Sequence, residues 1–202
     1  MRRTVLLLAT MALTLLVASG VAWAVTKIGT DGPDTLRGTN GADQLVGKGG
    51  NDVLFALAGD DILLGGPGKD ILLGGSLAEP SGGHKTLVGG NGNDALLGGL
   101  GSDTMVGGDG NDYMNEGEYD QEPAAKDTIS GGDGNDVIEA INIPAGKDVV
   151  TCGGGSDRVL ADRADVVAPD CERVFVGERQ IDEYFASIPE SFFPGLPPFP
   201  EG

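Results

Sequence analysis

Twelve aspartates stand at one fixed place in a repeating nine-residue unit, and that spacing is where this chain can do chemistry. They are Asp34, Asp43, Asp52, Asp61, Asp70, Asp94, Asp103, Asp112, Asp127, Asp136, Asp148 and Asp157. The unit reads Gly-Gly-x-Gly-x-Asp-x-(Leu/Ile/Val)-x. It is clearest from Gly89 to Leu97, and the next two units follow without a gap at Gly98 and Gly107. An aspartate repeated along one edge of a stack places like charges about 4.8 Å apart. Such a column repels itself unless a cation intervenes. A hard dication held by carboxylates and turn carbonyls relieves the repulsion. Calcium, which takes about six to eight flexible oxygen ligands, suits that donor set. Magnesium wants a small octahedron and retains its water, so it suits it poorly.

The elements that must position these aspartates follow from the same unit. Starts fall at residues 29, 38, 47, 56, 65, 74, 89, 98, 107, 116, 131, 140 and 152, with a degraded last turn near Ala161. A period of this kind sets the architecture. Positions one, two and four are mostly glycine, which turns tightly and reaches positive φ without steric cost. Positions seven to nine are β-prone, and in a three-residue strand only the middle side chain faces inward. The inward set runs Leu36, Leu45, Leu54, Leu63, Leu72, Leu87, Leu96, Met105, Met114, Ile129, Ile138, Val150, Val159 and Val167. One unit buries nothing alone, so units must stack. Two units make one coil, and the pattern predicts an all-β solenoid of about seven two-turn coils, roughly 34 Å long.

Turn glycines, aspartate and core aliphatic recurring together over residues 29–168 resemble the RTX (haemolysin-type) calcium-binding nonapeptide repeat. The resemblance implies a right-handed parallel β-roll with calcium ions in its turns, ordered only when calcium is present.

Alternate units fall on opposite edges of the coil, and the two edges differ. One collects Asp34, Asp52, Asp70, Asp94, Asp112, Asp136 and Asp157, all normally spaced. The other collects Asp43, Asp61 and Asp103 together with every irregularity. Insertions of six, six and three residues lie in the units at 74, 116 and 140; Ala56 and Ala58 stand where glycine is expected; Lys85 replaces an aspartate. These ten aspartates are the candidate calcium ligands, in one well-formed column and one interrupted column where the Lys85 cation substitutes for an ion.

The N-terminus places the roll outside the cell. Arg2 and Arg3, the apolar run from Val5 to Val17, and Ala22-Trp23-Ala24 read as a secretory signal over residues 1–24 with cleavage before Val25. Cleavage takes the basic count from 13 to 11 against 31 acids, a charge of −20. That excludes nucleic acid as a partner, since binding it needs a basic surface. It also matches the composition of chains that stay unfolded, which suits export before calcium is met. No stable membrane insertion is expected after cleavage. The 178 mature residues suffice for one elongated domain, 25–176, and a tail, without a separate enzyme domain.

In a secreted chain Cys152 and Cys171 predict a disulfide that staples the last coil. The tail, 177–202, sets Tyr184, Phe185, Phe192, Phe193 and Phe199 among five prolines and is expected to lack regular structure. It could cover an apolar outer strip made of Val53, Phe55, Ile62, Leu64, Ile71 and Leu73. Catalytic signals are weak: His84, the single histidine, shares an insertion with Ser76 and Ser81, but loop adjacency is not a nucleophile–base pair. No phosphate-binding loop occurs. The sequence thus reads as a secreted calcium-binding structural or interaction protein, with an accessory module for a separate secreted enzyme or a surface glycan as the alternative.

Overall fold

The computed structural model describes residues 24–75, 82–117, 125–141 and 145–177. Sixteen short strands, from Thr26–Ile28 to Arg173–Val176, alternate along the chain between two parallel sheets of eight strands each. No helix occurs among the described residues, so none there is long and apolar enough to cross a membrane. The fold is an all-β parallel solenoid. It has eight rungs per sheet rather than seven, because a strand forms at each end beyond the motif units. Thr26–Ile28 precedes the first unit and pairs with Gln44–Val46, and Arg173–Val176 pairs with Arg158–Ala161.

Register follows the position-eight side chains. In the first sheet Leu45, Leu63, Leu87, Met105, Ile129, Val150 and Val167 are direct partners in that order. In the second, Leu36, Leu54, Leu72, Leu96, Met114, Ile138 and Val159 are. A one-residue slip would turn every one of them outward, so the aliphatic column itself fixes the pairing. The two columns meet in one thin core between the sheets. Each fully buried leucine contributes about 1.5–3 kcal/mol. The insertions do not disturb register: Asp61 pairs with Lys85 across the first six-residue insertion.

Two expectations about the outer surface change. Val53, Phe55, Ile71 and Leu73 lie on the second sheet, while Ile62 and Leu64 lie on the first. They are not one strip but two, on opposite faces, because successive strands belong to different sheets. Nor are outward positions all open. Val137 and Leu160 are buried in a small second cluster with Tyr113, Ile141 and Phe175 on the outside of the second sheet. There the Tyr113 hydroxyl donates to Glu139 Oε2 at 2.9 Å, and Asn115 Nδ2 donates to the same oxygen at 2.8 Å. The C-terminal rungs are thus packed on both faces of that sheet. The expected signal segment, as far as residue 23, and the expected tail from 178 lie outside the described residues.

Cys152 and Cys171 form a disulfide with Cα atoms 5.1 Å apart. It ties the strand Val149–Gly155 of the first sheet to the segment leading into Arg173–Val176, the last strand of the second sheet. On the chain-entropy account, a bridge closing a loop of this size stabilises by about 3 kcal/mol. Solenoid rungs couple chiefly to their neighbours. Replacing both cysteines with serine should therefore speed amide exchange in the rungs of Val159 and Val174 and leave the rungs near Asp94 unchanged. Equal acceleration along the whole roll would show that the bridge acts globally.

Candidate metal centre

Each aspartate of the regular edge uses its two carboxylate oxygens differently. Oδ1 accepts the backbone N–H of the aspartate one coil earlier. The bonds run Asp34 to Asp52, Asp52 to Asp70, Asp70 to Asp94 and Asp94 to Asp112, each at 2.8 Å. They continue from Asp112 to Asp136 at 2.9 Å and from Asp136 to Asp157 at 2.8 Å. Glu172 ends the series, its Oε2 accepting the Asp157 N–H at 2.9 Å. These bonds satisfy the backbone N–H of each position-six aspartate from Asp34 to Asp157.

Oδ2 is left for something else. In Asp52, Asp70, Asp94, Asp112, Asp136 and Asp157 it is buried and receives no hydrogen bond. A buried charged oxygen without a partner is strongly unfavourable, and six in a row call for a common ligand. The glycine at position one marks the place. A Cβ added to Gly47 would lie 2.2 Å from Asp52 Oδ2 and 2.7 Å from the Gly65 carbonyl oxygen of the next coil. One added to Gly107 would lie 2.3 Å from Asp112 Oδ2 and 2.5 Å from the Gly131 carbonyl oxygen. Position one is therefore glycine to keep open a gap lined by a carboxylate oxygen and a carbonyl oxygen, a hard donor set that fits calcium.

Left-handed backbone belongs to positions two and four, not to position one. Gly66 and Gly68 have φ of 112° and 156°, and the same two places recur at Gly90 and Gly92. Ala58 proves to be at a permissive place. The strained substitutions are Lys48, at φ 82°, and Leu57, at φ 76°, both at position two.

The first two turns satisfy Oδ2 internally. Thr30, at position two, gives its N–H and its hydroxyl to Asp34 Oδ2, at 2.5 and 2.9 Å. Thr39 does the same for Asp43 Oδ2, its hydroxyl at 3.0 Å. These bonds hold the Asp34 carboxyl below its ordinary range. Asp34 and Asp43 therefore stand in the columns as anticipated, but their inner oxygens are closed by threonine.

The irregular edge runs Asp43, Asp61, Lys85, Asp103, Asp127, Asp148 and Asp165. Oδ1 bonds of 2.5–3.1 Å join most neighbours in this series. Lys85 breaks the pattern. Its buried Nζ donates to the carbonyl oxygens of Gly59, at 2.6 Å, and Gly83, at 3.3 Å, and lies 3.6 Å from Asp61 Oδ2. An ammonium thus takes the mixed carbonyl and carboxylate set that an ion would otherwise share. Ala56 stands at position one on the rung where Asp61 Oδ2 is engaged by Lys85.

Sequence reasoning left Asp127 and Asp148 out of the candidate set although both occupy position six. It missed Glu116 altogether, though a glutamate at a glycine place was a visible signal. These three carboxylates are buried, with ligand oxygens within 4.8 Å of one another. His84 is exposed, and its Nδ1 lies 2.8 Å from the Ser102 carbonyl oxygen. Ser76 and Ser81 lie outside the described residues.

Burial of the columns opposes their charge. It raises Asp94 from 3.8 to about 6, and Asp112 and Asp136 to about 7, with neighbouring aspartates adding to the shift. Because the folded-state values are raised, protonation favours the metal-free fold. That contribution is complete below about 3.8 and is lost as pH rises through about 6 to 7. Metal-free protein should therefore gain β-structure by circular dichroism when taken from pH 7.5 to pH 5. Its calcium midpoint should be higher at pH 5.5 than at pH 7.5, since protons and calcium compete for the same oxygens. A midpoint independent of pH would show that these carboxylates are not the ligands.

Comparison with known families agrees with this geometry. Four copies of the RTX calcium-binding nonapeptide repeat match, at residues 28–63, 46–76, 81–114 and 124–140. A search of curated proteins gave no match. With the repeat, the parallel solenoid and the oxygen-lined turns in place, the chain belongs to the RTX calcium-binding nonapeptide-repeat family, whose repeats bind calcium.

Proposed function

We propose that this is a secreted structural or interaction protein whose regular edge holds a file of calcium ions and whose folding is its response to extracellular calcium. The observation that carries the reading is the row of six buried Oδ2 atoms, from Asp52 to Asp157, without hydrogen-bond partners. Those of Asp52, Asp70, Asp94, Asp112 and Asp136 each face the gap beside a position-one glycine, lined also by a carbonyl oxygen of the next coil. Filling them neutralises a column that otherwise repels itself. Asp61 and Asp103 contribute less, because Lys85 interrupts their edge. Asp34 and Asp43 act chiefly as threonine-closed ends.

Secretion is supported by the basic start, apolar run and small-residue site of residues 1–24, and by the Cys152–Cys171 disulfide, which fits an oxidising compartment. The net charge of −18 before signal removal gives the metal-free chain a reason to stay open until calcium is met. A second reading, an accessory module for another secreted protein or a surface glycan, draws on the outward apolar side chains. Ile71 and Leu97 on one face and Ile62 on the other are exposed.

The direct test is far-ultraviolet circular dichroism of the mature protein at neutral pH, with calcium and with excess chelator. A largely unfolded spectrum that turns to β-structure on adding calcium at about 10⁻⁴ to 10⁻³ M supports the reading. A folded, unchanged spectrum in chelator contradicts it.

The two edges give a second test. Asparagine keeps an oxygen for the backbone bond but removes the charge. Asp94→Asn and Asp112→Asn should each raise the calcium midpoint several-fold, roughly 1 kcal/mol or more, the scale of a charge-assisted contact. Asp103→Asn should raise it less, being next to Lys85 on the interrupted edge. Calcium titrations of the three variants read this difference, and equal shifts would make the edges equivalent.

A further inference from the structure

We propose that Glu116, Asp127 and Asp148 form a separate calcium site on the irregular edge, built from three carboxylates and binding more tightly than the repeat turns. The inference rests on the family reading of the fold but adds a ligand and a place that the repeat does not contain. In the repeat, position one is glycine because a side chain there would strike the aspartate oxygen of its own unit. Gly98, one unit earlier in the chain, would put a Cβ 2.7 Å from Asp103 Oδ2 and 2.6 Å from the Glu116 carbonyl oxygen. At residue 116 the sequence instead places a glutamate, in the unit that also carries a six-residue insertion before its aspartate.

The Glu116 side chain is 1% exposed, and neither Oε1 nor Oε2 receives a hydrogen bond. It is a long, buried acidic group that accepts no hydrogen bond from any N–H or hydroxyl and meets only the carboxyl groups of Asp127 and Asp148. Asp127 and Asp148 each use Oδ1 for a backbone N–H, from Asp103 at 2.5 Å and from Asp127 at 2.8 Å. Ligand oxygens of all three residues fall within 4.8 Å of one another, the span of a single coordination sphere for calcium–oxygen bonds of about 2.3–2.6 Å.

Charge sets the site apart. A repeat turn offers carboxylate oxygens diluted by carbonyls, whereas this cluster brings three carboxyl groups to one point, where burial and mutual repulsion favour protonation until a bound cation displaces the protons. Calcium affinity rises with the number of charged ligands. Magnesium suits the cluster poorly for the same reason as in the turns, since it wants a small octahedron and retains its water. Glu116 and Asp127 come from one unit and Asp148 from the next coil, separated by 11 and 21 positions, so the full site exists only in the folded roll. An ion there would cross-link the coils on the edge that Lys85 and the insertions otherwise leave without a continuous file.

The experiment uses the mature, calcium-loaded protein, rapid mixing with excess chelator, and a count of calcium released with time. Wild type should release most of its calcium in a fast phase and one equivalent about tenfold or more slowly, from the higher ligand charge. Glu116→Gln and Glu116→Gly, the second restoring the usual residue of position one, should both lose the slow equivalent and keep the fast phase. Either variant keeping it overturns the proposal and makes Glu116 a neutral buried acid. If neither variant folds, the wild-type curve decides alone: a single uniform phase overturns the site. Wild type binding no calcium at all would instead overturn the reading of the whole roll.

Discussion

A column of like charges held in register is the constraint on which this molecule depends. Parallel stacking puts every position-six aspartate directly beside its counterparts in the neighbouring coils, and burial denies most of them water. The fold accommodates this by dividing the carboxylate. Oδ1 is used by the backbone, one N–H per coil, so the aspartate is needed to close the hydrogen bonding of the turn. From Asp52 to Asp136 on the regular edge, Oδ2 then points into a gap that a position-one glycine leaves open. The structural and the ligand roles are thus carried by one side chain. A substitution that preserved one oxygen and removed the other would separate them.

The same constraint explains why the edges diverge. A file of ions shared between successive turns tolerates no change in turn length, because each ion needs oxygens from two coils. The regular edge keeps its spacing throughout. Once the irregular edge accepted insertions, each rung needed its own solution to buried charge. Asp61 is met by the Lys85 ammonium, and Asp43 by Thr39. At Glu116, Asp127 and Asp148 acidity is concentrated instead of cancelled, which is why that rung stands out. The strands are indifferent to all this, since register is set by the aliphatic column between the sheets.

The sequence made the period, the two-edge alternation, the inward side chains and the disulfide legible, because each rests on spacing along the chain. Four features were not. Position-one glycine looked like a conformational choice, whereas its reason is the approach of Asp Oδ2 and a carbonyl from the next coil, a contact between residues 18 or more apart. Thr30 and Thr39 stand at position two, where glycine is usual, and only the turn geometry shows them closing Asp34 and Asp43. The apolar outer strip was drawn as one surface because positions seven and nine look alike in every unit; alternation between sheets divides it. Glu116 is the instructive miss. A glutamate where the motif asks for glycine was visible, but its meaning depended on Asp127 folding back across the insertion and Asp148 arriving from the next coil.

The most direct measurement is anomalous diffraction from crystals of the mature protein grown in calcium. Calcium peaks should lie between successive turns of the regular edge, within bonding distance of Oδ2 of Asp52, Asp70, Asp94, Asp112 and Asp136, and of position-one carbonyls of the adjoining coil. No peak should lie beside Lys85 Nζ. Peaks absent from the regular edge, with those Oδ2 atoms bonded to protein donors instead, would contradict the account.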